Sequence, residues 1–323
     1  MGRTIEDNIV KTTVIMATYN GEKFIKGQLE SIRNQTKKPD YVIIRDDKST
    51  DDTVNEIQKF IATNQLKNWQ VIVNENNKGF RLNFRQLMLD ALTTDADYIF
   101  FSDQDDNWLP QKIERQLTGF EQFPEAELIS SDYDIKIIGE GQLSVGTLYT
   151  FSETETISQY PFDMKRNRIF RLGWTNAITR NLAQQTLDIW KESVDDVSHD
   201  TLISMFASNA MVAYNLNESL GTHVRHGGNA SGSNYFSLSS SHQKHLDELQ
   251  RDMHCFQLTY QFAKINHTLH VAEAKIMSDF YEKRFENAKK RKFFATIYQI
   301  IHDRKRYFDY KGPIRDILFI FKK

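Results

Sequence analysis

The sequence lacks the features that mark secreted, membrane-spanning or nucleic-acid-binding chains. Its 323 residues include one cysteine, Cys255, which excludes an internal disulfide or a cysteine-based zinc cluster and is typical of a reducing compartment. No apolar run reaches the length of about 18 residues that a spanning helix needs, and the polar segment Met1–Lys11 has no signal-peptide core. The net charge of −2 gives no indication of nucleic acid. These absences predict a cytoplasmic protein without a nucleic-acid partner.

Charge is unevenly distributed along the chain. Between Lys283 and Lys323 there are 13 Lys and Arg against four Asp and Glu, a net charge of +9, which leaves about −11 for the rest. Apolar residues recur at helical spacing in this basic segment. We therefore expect 235–323 to form a helical C-terminal region. Its apolar faces either pack on the rest of the protein or lie peripherally on the inner face of the cell membrane, with the basic residues against anionic lipid.

Strand and helix patterns alternate in the first half of the chain. Short β-branched apolar runs predict strands, and apolar residues at helical spacing predict the helices between them. The predicted strands are Thr12–Ala17, Tyr41–Ile44, Gln70–Val73 and Tyr98–Phe101, and the predicted helices are Phe24–Asn34, Val54–Ile61, Phe80–Leu92 and Gln111–Phe123. This order predicts an α/β fold with a mostly parallel sheet flanked by helices. Ligands of such sheets bind beyond the carboxyl ends of the strands.

Three carboxylates, Asp103, Asp105 and Asp106, directly follow the fourth predicted strand. Such a cluster is self-repulsive, and a divalent cation removes the repulsion. Hard oxygen ligands suit Mg²⁺ or Mn²⁺ bridging a diphosphate, whereas a solvated acidic turn would show the same residues. The position at a strand's carboxyl end favours the metal site. Asp46 and Asp47 end the second strand in a similar way, which favours a ligand role there too.

Four motifs, taken in their order and spacing, resemble the nucleotide-sugar-binding half of family-2 glycosyltransferases with the GT-A (Rossmann-like) fold. They are Val14–Gly21, Asp46–Asp51, Asn77–Gly79 and Ser102–Asp106. With His199-Asp200 and His226–Asn229, the last motif most resembles bacterial rhamnosyltransferases that build capsule or wall polysaccharides. The resemblance implies a catalytic domain over 1–234, in which 12–106 bind the nucleotide sugar and 107–234 form the acceptor side.

The resemblance also implies roles for the matching residues on the donor side. The nucleoside would lie against the first strand's end, and a pyrimidine imide would donate to one of the two aspartates after the second strand. The implied donor-binding residues are Thr18, Tyr19, Asn20, Asp46, Asp47, Gly79, Arg81, Asp103 and His226. The implied ligands of Mg²⁺ or Mn²⁺ are Asp103, Asp105 and His226. Lys48 replaces the family's usual glycine, and lysine disfavours the positive φ that glycine allows there.

On the acceptor side, the resemblance implies that Asp200 is the general base. A carboxylate at a helix N-terminus is also a normal cap, so the residues alone leave both roles open. Trp174 would either stack on an acceptor sugar or belong to the core. Thr175 and His199 complete the implied acceptor site.

These roles describe an inverting, metal-dependent glycosyltransferase. The expected donor is dTDP-rhamnose, followed by a UDP-sugar, and the expected acceptor is a glycan or lipid-linked oligosaccharide of a growing bacterial surface polysaccharide. A sugar-1-phosphate nucleotidyltransferase shares the α/β layout, but it needs a glycine-rich basic loop, for which Asn20–Lys23 is too short. A non-catalytic sugar-binding protein would not need Asp103, Asp105 and Asp200.

Overall fold

The computed structural model describes residues 10–139, 149–152, 154–162, 171–227 and 241–322. The predicted domain boundary near 235 and two motif residues, Gly228 and Asn229, lie outside the described residues. The strands are β1 Thr12–Thr18, β2 Tyr41–Asp46, β3 Trp69–Val73, β4 Tyr98–Ser102, β5 Asn107–Trp108, β6 Leu128–Ile137, β7 Ile157–Gln159, β8 Ala177–Thr179 and β9 Ala213–Arg225. The helices are α1 Ile25–Arg33, α2 Thr53–Thr63, α3 Gly79–Ala91, α4 Lys112–Gln122, α5 Arg180–Ile189, α6 His199–Asn209, α7 His242–Ile265, α8 Val271–Lys289, α9 Phe293–His302 and α10 Lys311–Ile320.

The described strands form one mixed sheet in the order β3-β2-β1-β4-β8-β6-β9-β5, with β7 paired to β9. The first four are parallel, as the alternation of strands and helices predicts. Strand β8 is antiparallel to β4 and β6, β9 is parallel to β6, and β5 is antiparallel to β9. Antiparallel neighbours need no crossover helix, and within the described residues no α-helix separates β6 from β8. The helix-flanked α/β class is therefore confirmed, with antiparallel pairs added in the second half.

Both faces of the sheet are covered by helices. Val14 and Met16 point into the core that α1, α2 and α4 cover, while Ile15 between them points into the core shared by α3, α5 and α6. All three side chains are fully buried, because successive residues of a strand face opposite sides and this strand lies in the middle of the sheet. The apolar run that predicted β1 is thus explained by double coverage.

The C-terminal helices share a core with the sheet. Phe262 of α7 stacks on Phe206 of α6 with ring centroids 4.5 Å apart, and both belong to the apolar cluster that contains Ile15. The helical nature of the described part of 235–323 is confirmed, whereas its division from the catalytic domain stays a prediction. No helix in the described ranges is long and apolar enough to cross a membrane.

Two strands extend beyond what the sequence patterns predict. Strand β9 runs over 13 residues, from Ala213 to Arg225. Strand β6 is not among the predicted strands, although Tyr133, Ile135 and Ile137 alternate with polar residues in its second half. Both segments pair along most of their length, so tertiary pairing outweighs local composition here.

A fully buried lysine, Lys112, begins α4. Its ammonium group donates to the carbonyl of Thr175 at 3.2 Å and to the Gln116 side chain. It also lies 4.8 Å from the centroid of the Trp108 ring. Burial holds the pKa of Lys112 well below its ordinary value, because desolvation disfavours the charged form.

The substitution Lys112→Met should remove a pH-dependent part of the free energy of unfolding. The unfolded chain keeps this proton up to about pH 10.5, while the folded chain releases it at lower pH. Wild-type stability therefore rises with pH between the two pKa values, by up to about 1.4 kcal/mol per pH unit. Urea unfolding from about pH 7 to 9 should show a flatter dependence for Lys112→Met. The exposed control Lys59→Met should keep the wild-type slope, and equal slopes in all three proteins would contradict the prediction.

Candidate active site

At the carboxyl edge of the sheet, Asp46 joins the loops that follow β1 and β2. Its carboxylate accepts hydrogen bonds from the Thr18 hydroxyl at 2.8 Å and from the backbone N–H of Ser49 at 2.7 Å. Both Asp46 and Thr18 are buried. The same two loops are joined again by Asn20, whose N–H donates to the Ser49 hydroxyl.

Asp47 organises the start of α3. Its two oxygens accept from the N–H groups of Lys78 and Gly79, each at 2.8 Å, and from the Asn74 amide. A carboxylate that accepts backbone N–H groups at a helix start is a cap stabilised by the helix dipole. Both carboxylates are buried and accept hydrogen bonds within the loops, and the implied contact of Asp46 or Asp47 with a base stays a prediction.

Gln104 holds the backbone of Tyr19 at two points. Its Oε1 accepts from the Tyr19 N–H at 2.9 Å and its Nε2 donates to the Tyr19 carbonyl at 3.0 Å. Gly21 allows this approach, since a Cβ at that position would lie 2.2 Å from Gln104 Oε1. The Tyr19 ring stays exposed at the edge of the sheet.

Several predicted donor-side residues remain accessible. Tyr19, Asn20 and Gly79 are exposed, and Arg81 is half-buried, with its guanidinium 4.7 Å from the Phe80 ring centroid. The Nε atom of Arg81 is buried without a hydrogen-bond partner in the described part of the chain. Lys48 adopts φ 69°, so the loop keeps the left-handed backbone that the family's glycine would favour, even with lysine in its place.

The end of β9 closes onto the acidic loop after β4. Asp106 accepts from the His223 ring at 2.7 Å and from the Val224 N–H at 3.0 Å. His226 Nε2 lies 2.9 Å from an oxygen of Asp105, and its ring stacks on Phe24 at 4.1 Å. The predicted partners Asp105 and His226 are therefore brought together. His223, a residue of β9, holds the acidic loop directly through Asp106.

The acidic loop is electrostatically strained. Burial raises the pKa of Asp103 well above its ordinary value, and the charges of Asp106, Asp105 and Asp200 raise it further. Burial also raises the pKa of Asp106 to about 6, against the hydrogen bond from His223. One oxygen of Asp106, Oδ2, is buried with no hydrogen-bond partner among the described residues. These oxygen donors fit a hard divalent cation, although within the described ranges no three acidic, His or Cys side chains form a ready-made metal site.

Asp200 lies in the first turn of α6, close enough to Asp103 to raise its pKa. Its Oδ1 accepts from the Thr201 N–H at 2.7 Å and from the Ser198 hydroxyl. No hydrogen bond to its other oxygen is found within the described residues. Oδ1 of Asp200 therefore fills the cap role that the sequence left open, and this role does not use Oδ2.

The implied acceptor residues are buried instead of exposed. Trp174 has 1% of its surface exposed and packs where Gly221 leaves room, since a Cβ on that glycine would lie 2.7 Å from the indole. Thr175 is also fully buried. His199 stacks between Phe84 and Phe101, and burial lowers its pKa to about 4. The core alternative for Trp174 fits this burial, and the implied acceptor role of Trp174, Thr175 and His199 stays a prediction.

Two residues that shape the site, Gln104 and His223, make contacts that the sequence does not predict. Gln104 lies inside the acidic motif, but only its hydrogen bonds to Tyr19 reveal its role. His223 alternates with Arg225 in a strand pattern, and its contact with Asp106 depends on the pairing of β5 with β9. No local pattern could have indicated either contact.

Comparison with known proteins places the chain among sugar-transferring proteins. Residues 13–179 match the model of the family Glycosyl transferase family 2. The dTDP-rhamnosyl transferase RfbG of Shigella flexneri is 41% identical over 103 residues, which are 32% of this chain and 35% of that protein. The UDP-Glc:alpha-D-GlcNAc-diphosphoundecaprenol beta-1,3-glucosyltransferase WfaP of Escherichia coli is 35% identical over 123 residues, 38% of this chain and 44% of that protein. The chain thus spans less than half the length of these two curated relatives.

Solved structures share the fold at low identity. TarS 1–349 of S. aureus in complex with UDP superposes with a TM-score of 0.58 at 19% identity, covering 85% of this chain and 71% of that chain. The complex of the same protein with UDP-GlcNAc gives 0.58 at 17% identity, with 96% and 90% covered. At this identity the likeness concerns the fold alone, and it confirms the predicted GT-A architecture.

Exchange of Gly21 for alanine tests the clamp on Tyr19. The added Cβ would displace Gln104 from its two hydrogen bonds, so we expect Gly21→Ala to lower the free energy of unfolding by about 1–3 kcal/mol. The matched control is Gly27→Ala in α1, where a Cβ meets nothing within 4 Å. It should raise stability by about 0.5–1 kcal/mol, because alanine favours helices. Urea unfolding measures both, and equal stabilities of the two variants would contradict the clamp.

Proposed function

The chain belongs to glycosyl transferase family 2, and from this premise we propose that it is an inverting glycosyltransferase that uses a nucleoside-diphosphate sugar. The observation that carries the proposal is the meeting of Asp200 with the acidic loop. Asp200 comes from α6 and Asp103 from the end of β4, yet the charge of one raises the pKa of the other. A candidate base and a candidate diphosphate site thus share one edge of the sheet, where α/β proteins bind their ligands.

On the donor side, the exposed ring of Tyr19 offers a surface for the nucleoside. The clamp by Gln104 fixes the backbone beneath that ring, so little conformational freedom is lost on binding. Arg81 supplies a guanidinium whose buried Nε has no hydrogen-bond partner among the described residues, and such a group favours an anionic oxygen. Gly79, with φ 76°, leaves the start of α3 open to a close approach.

The diphosphate would lie beside Asp103, Asp105 and His226. The carboxylate oxygens of the loop and the oxygens of the diphosphate repel each other. We therefore propose that Asp103 and Asp105, with His226, hold Mg²⁺ or Mn²⁺ together with the donor. Bound there, the cation would supply charge neutralisation for the departing diphosphate. The His223 and Val224 contacts with Asp106 keep the loop in place for this.

Asp200 acts as the general base in this proposal. Its Oδ1 is held by Thr201 and Ser198, which orients the carboxylate, and Oδ2 is left to take the proton of an acceptor hydroxyl. The hydroxyl oxygen then forms a bond to the anomeric carbon as the bond to the diphosphate breaks. A single displacement inverts the anomeric configuration and needs no enzyme nucleophile.

We propose L-rhamnose from a dTDP donor as the transferred sugar, on the likeness to RfbG, which is named a dTDP-rhamnosyl transferase. A UDP-sugar is the second candidate, since the name of WfaP gives UDP-Glc as its donor. That name also gives a diphosphoundecaprenol-linked sugar as acceptor, which supports a lipid-linked oligosaccharide of a surface polysaccharide here. A nucleotidyltransferase loses its support, because the family match covers the whole donor half.

Nucleotide release tests the donor and the metal together. The chain is incubated without acceptor with dTDP-rhamnose, UDP-glucose or UDP-GlcNAc and Mn²⁺. Donor hydrolysis should be slow in each case, and we expect the highest rate with dTDP-rhamnose. EDTA and Asp103→Asn should each abolish release, while Asp188→Asn, exposed on α5, should leave it unchanged. Release in saturating EDTA would overturn the metal assignment. Binding of all donors without any release would favour a non-catalytic sugar-binding protein.

The base is tested by Asp200→Asn, which keeps an oxygen for the bonds from Thr201 and Ser198. Proton transfer by a positioned base typically contributes about 10²- to 10⁴-fold, so turnover should fall by that factor at unchanged donor affinity. Asp195→Asn, an exposed aspartate in the loop before α6, is the matched control. A parallel collapse of donor affinity in Asp200→Asn would identify Asp200 as a structural cap.

A further inference from the structure

Helix α9 is packed with its polar side inward. Thr296 and Gln299 are buried, whereas Phe294 and Ile301 have 85% and 68% of their surface exposed, and Tyr298 is also exposed. Phe294, Tyr298 and Ile301 follow the spacing of one helix face. A helix on a soluble core normally buries its apolar stripe, but this orientation leaves most of the surface of these three side chains exposed in the described chain.

Helix α10 continues the same surface. Ile314, Leu318 and Phe321 repeat the spacing of one face and are all exposed, Phe321 by 70%. Phe293 connects the two helices, because its ring lies 5.4 Å from Phe294 and 5.6 Å from Phe321. We call these six exposed side chains and Phe293 the α9–α10 face. A contiguous exposed apolar patch of this kind marks an interaction site.

Buried polar contacts fix the orientation of this face. The Gln299 amide donates to the Phe280 carbonyl at 3.0 Å and accepts from Asn287 at 2.9 Å, both in α8. Arg284 of α8 forms a buried bidentate pair with Asp316 of α10, at 2.8 and 2.9 Å. Rotating either helix inward would break these bonds, and an unpaired buried charge is strongly destabilising. The exposed apolar side is therefore part of the folded state.

Positive charge surrounds the α9–α10 face. The exposed basic residues of this segment are Lys283, Lys289, Lys290, Arg291, Lys292, Arg304, Lys305 and Lys311. None of the acidic residues from Lys283 to Lys322, all of which are described, is fully exposed: Asp316 is buried, and Glu286 and Asp303 pair with Lys290 and Arg306. An apolar face bordered by exposed lysines and arginines complements a surface that is apolar inside and anionic in its outer layer.

We propose that the α9–α10 face binds the headgroup region of a bilayer that contains anionic lipid. Phe294, Ile301 and Phe321 enter the boundary between headgroups and acyl chains, and the surrounding lysines and arginines contact lipid phosphates. The helices are too short and too polar to span, so the contact is peripheral. The inference does not depend on which sugar the protein transfers.

Vesicle flotation of the full chain tests the contact. Vesicles of equal parts phosphatidylglycerol and phosphatidylcholine should bind the protein at low salt and release it at high salt, because salt screens the charges. Vesicles of phosphatidylcholine alone should bind it weakly. The triple variant Phe294→Ser/Ile301→Ser/Phe321→Ser should lower the partition coefficient by about tenfold or more, and Lys289→Gln/Lys292→Gln/Lys305→Gln by about tenfold.

Two matched controls alter similar residues elsewhere. Ile265→Ser/Leu269→Ser/Ile276→Ser removes exposed apolar side chains near the α7–α8 turn, where Leu269 is 90% exposed. Lys26→Gln/Lys59→Gln/Lys67→Gln removes exposed charges from the other end of the chain. Both should bind vesicles like the wild type, with unchanged melting temperatures in all four variants.

Several outcomes would overturn the proposal. The first is no binding to the anionic vesicles, and the second is an equal loss in the α9–α10 variant and its control. If the Phe294/Ile301/Phe321 variant proves unfolded, the salt dependence of wild-type vesicle binding and the binding of the charge variant still test the proposal. A dimer in light scattering that dissociates in the Phe294/Ile301/Phe321 variant, without vesicle binding, would assign the face to a second copy of the chain.

Discussion

The mutual repulsion of carboxylates at the carboxyl edge of the sheet is the constraint on which the site depends. Burial is the main cause of the raised pKa values of Asp103 and Asp106, and neighbouring carboxylates, which for Asp103 include Asp200, raise them further. The end of β9 opposes this repulsion with the His223 and His226 rings and the Val224 N–H. In the proposed function, the remaining negative charge of the loop would be neutralised by a divalent cation bound together with the donor.

Local patterns predicted those parts of the fold in which neighbouring residues decide the structure. Central strands such as β1 are buried on both faces, so their apolar composition does not depend on what packs against them. Strand β6 could not be predicted in the same way. Its second half, from Asp132 to Ile137, alternates polar and apolar residues over a short span and pairs with β9, a strand far along the chain. Where pairing partners are distant in the chain, composition gives little information about the element.

In the candidate site, too, the sequence indicates where residues lie but not which contacts they make. The motifs located Asp103, Asp105, Asp200 and His226 at one edge, and the structure brings them together there. They could not show that the carboxylates of Asp46 and Asp47 accept hydrogen bonds from N–H groups of the adjacent loops. For Trp174 and His199, residue type could not show that the side chains are buried, because an aromatic ring suits a sugar face and a core equally well. Gly173 and Gly221 permit the close packing around these rings, and only the three-dimensional contacts reveal it.

The pairing of β5 with β9 also has a consequence for the order in which the protein is made. Strand β5 carries the acidic loop at its start and pairs only with β9 among the described strands, which lies more than a third of the chain further on. A ribosome releases the N-terminal half first, and long-range pairing is slow because a large loop must close before it forms. The parallel strands β1 to β4 can therefore assemble during synthesis while the acidic loop still lacks the contacts that β9 supplies. A chain truncated before β9 would keep these four strands but would lack the His223 and Val224 contacts that hold Asp106.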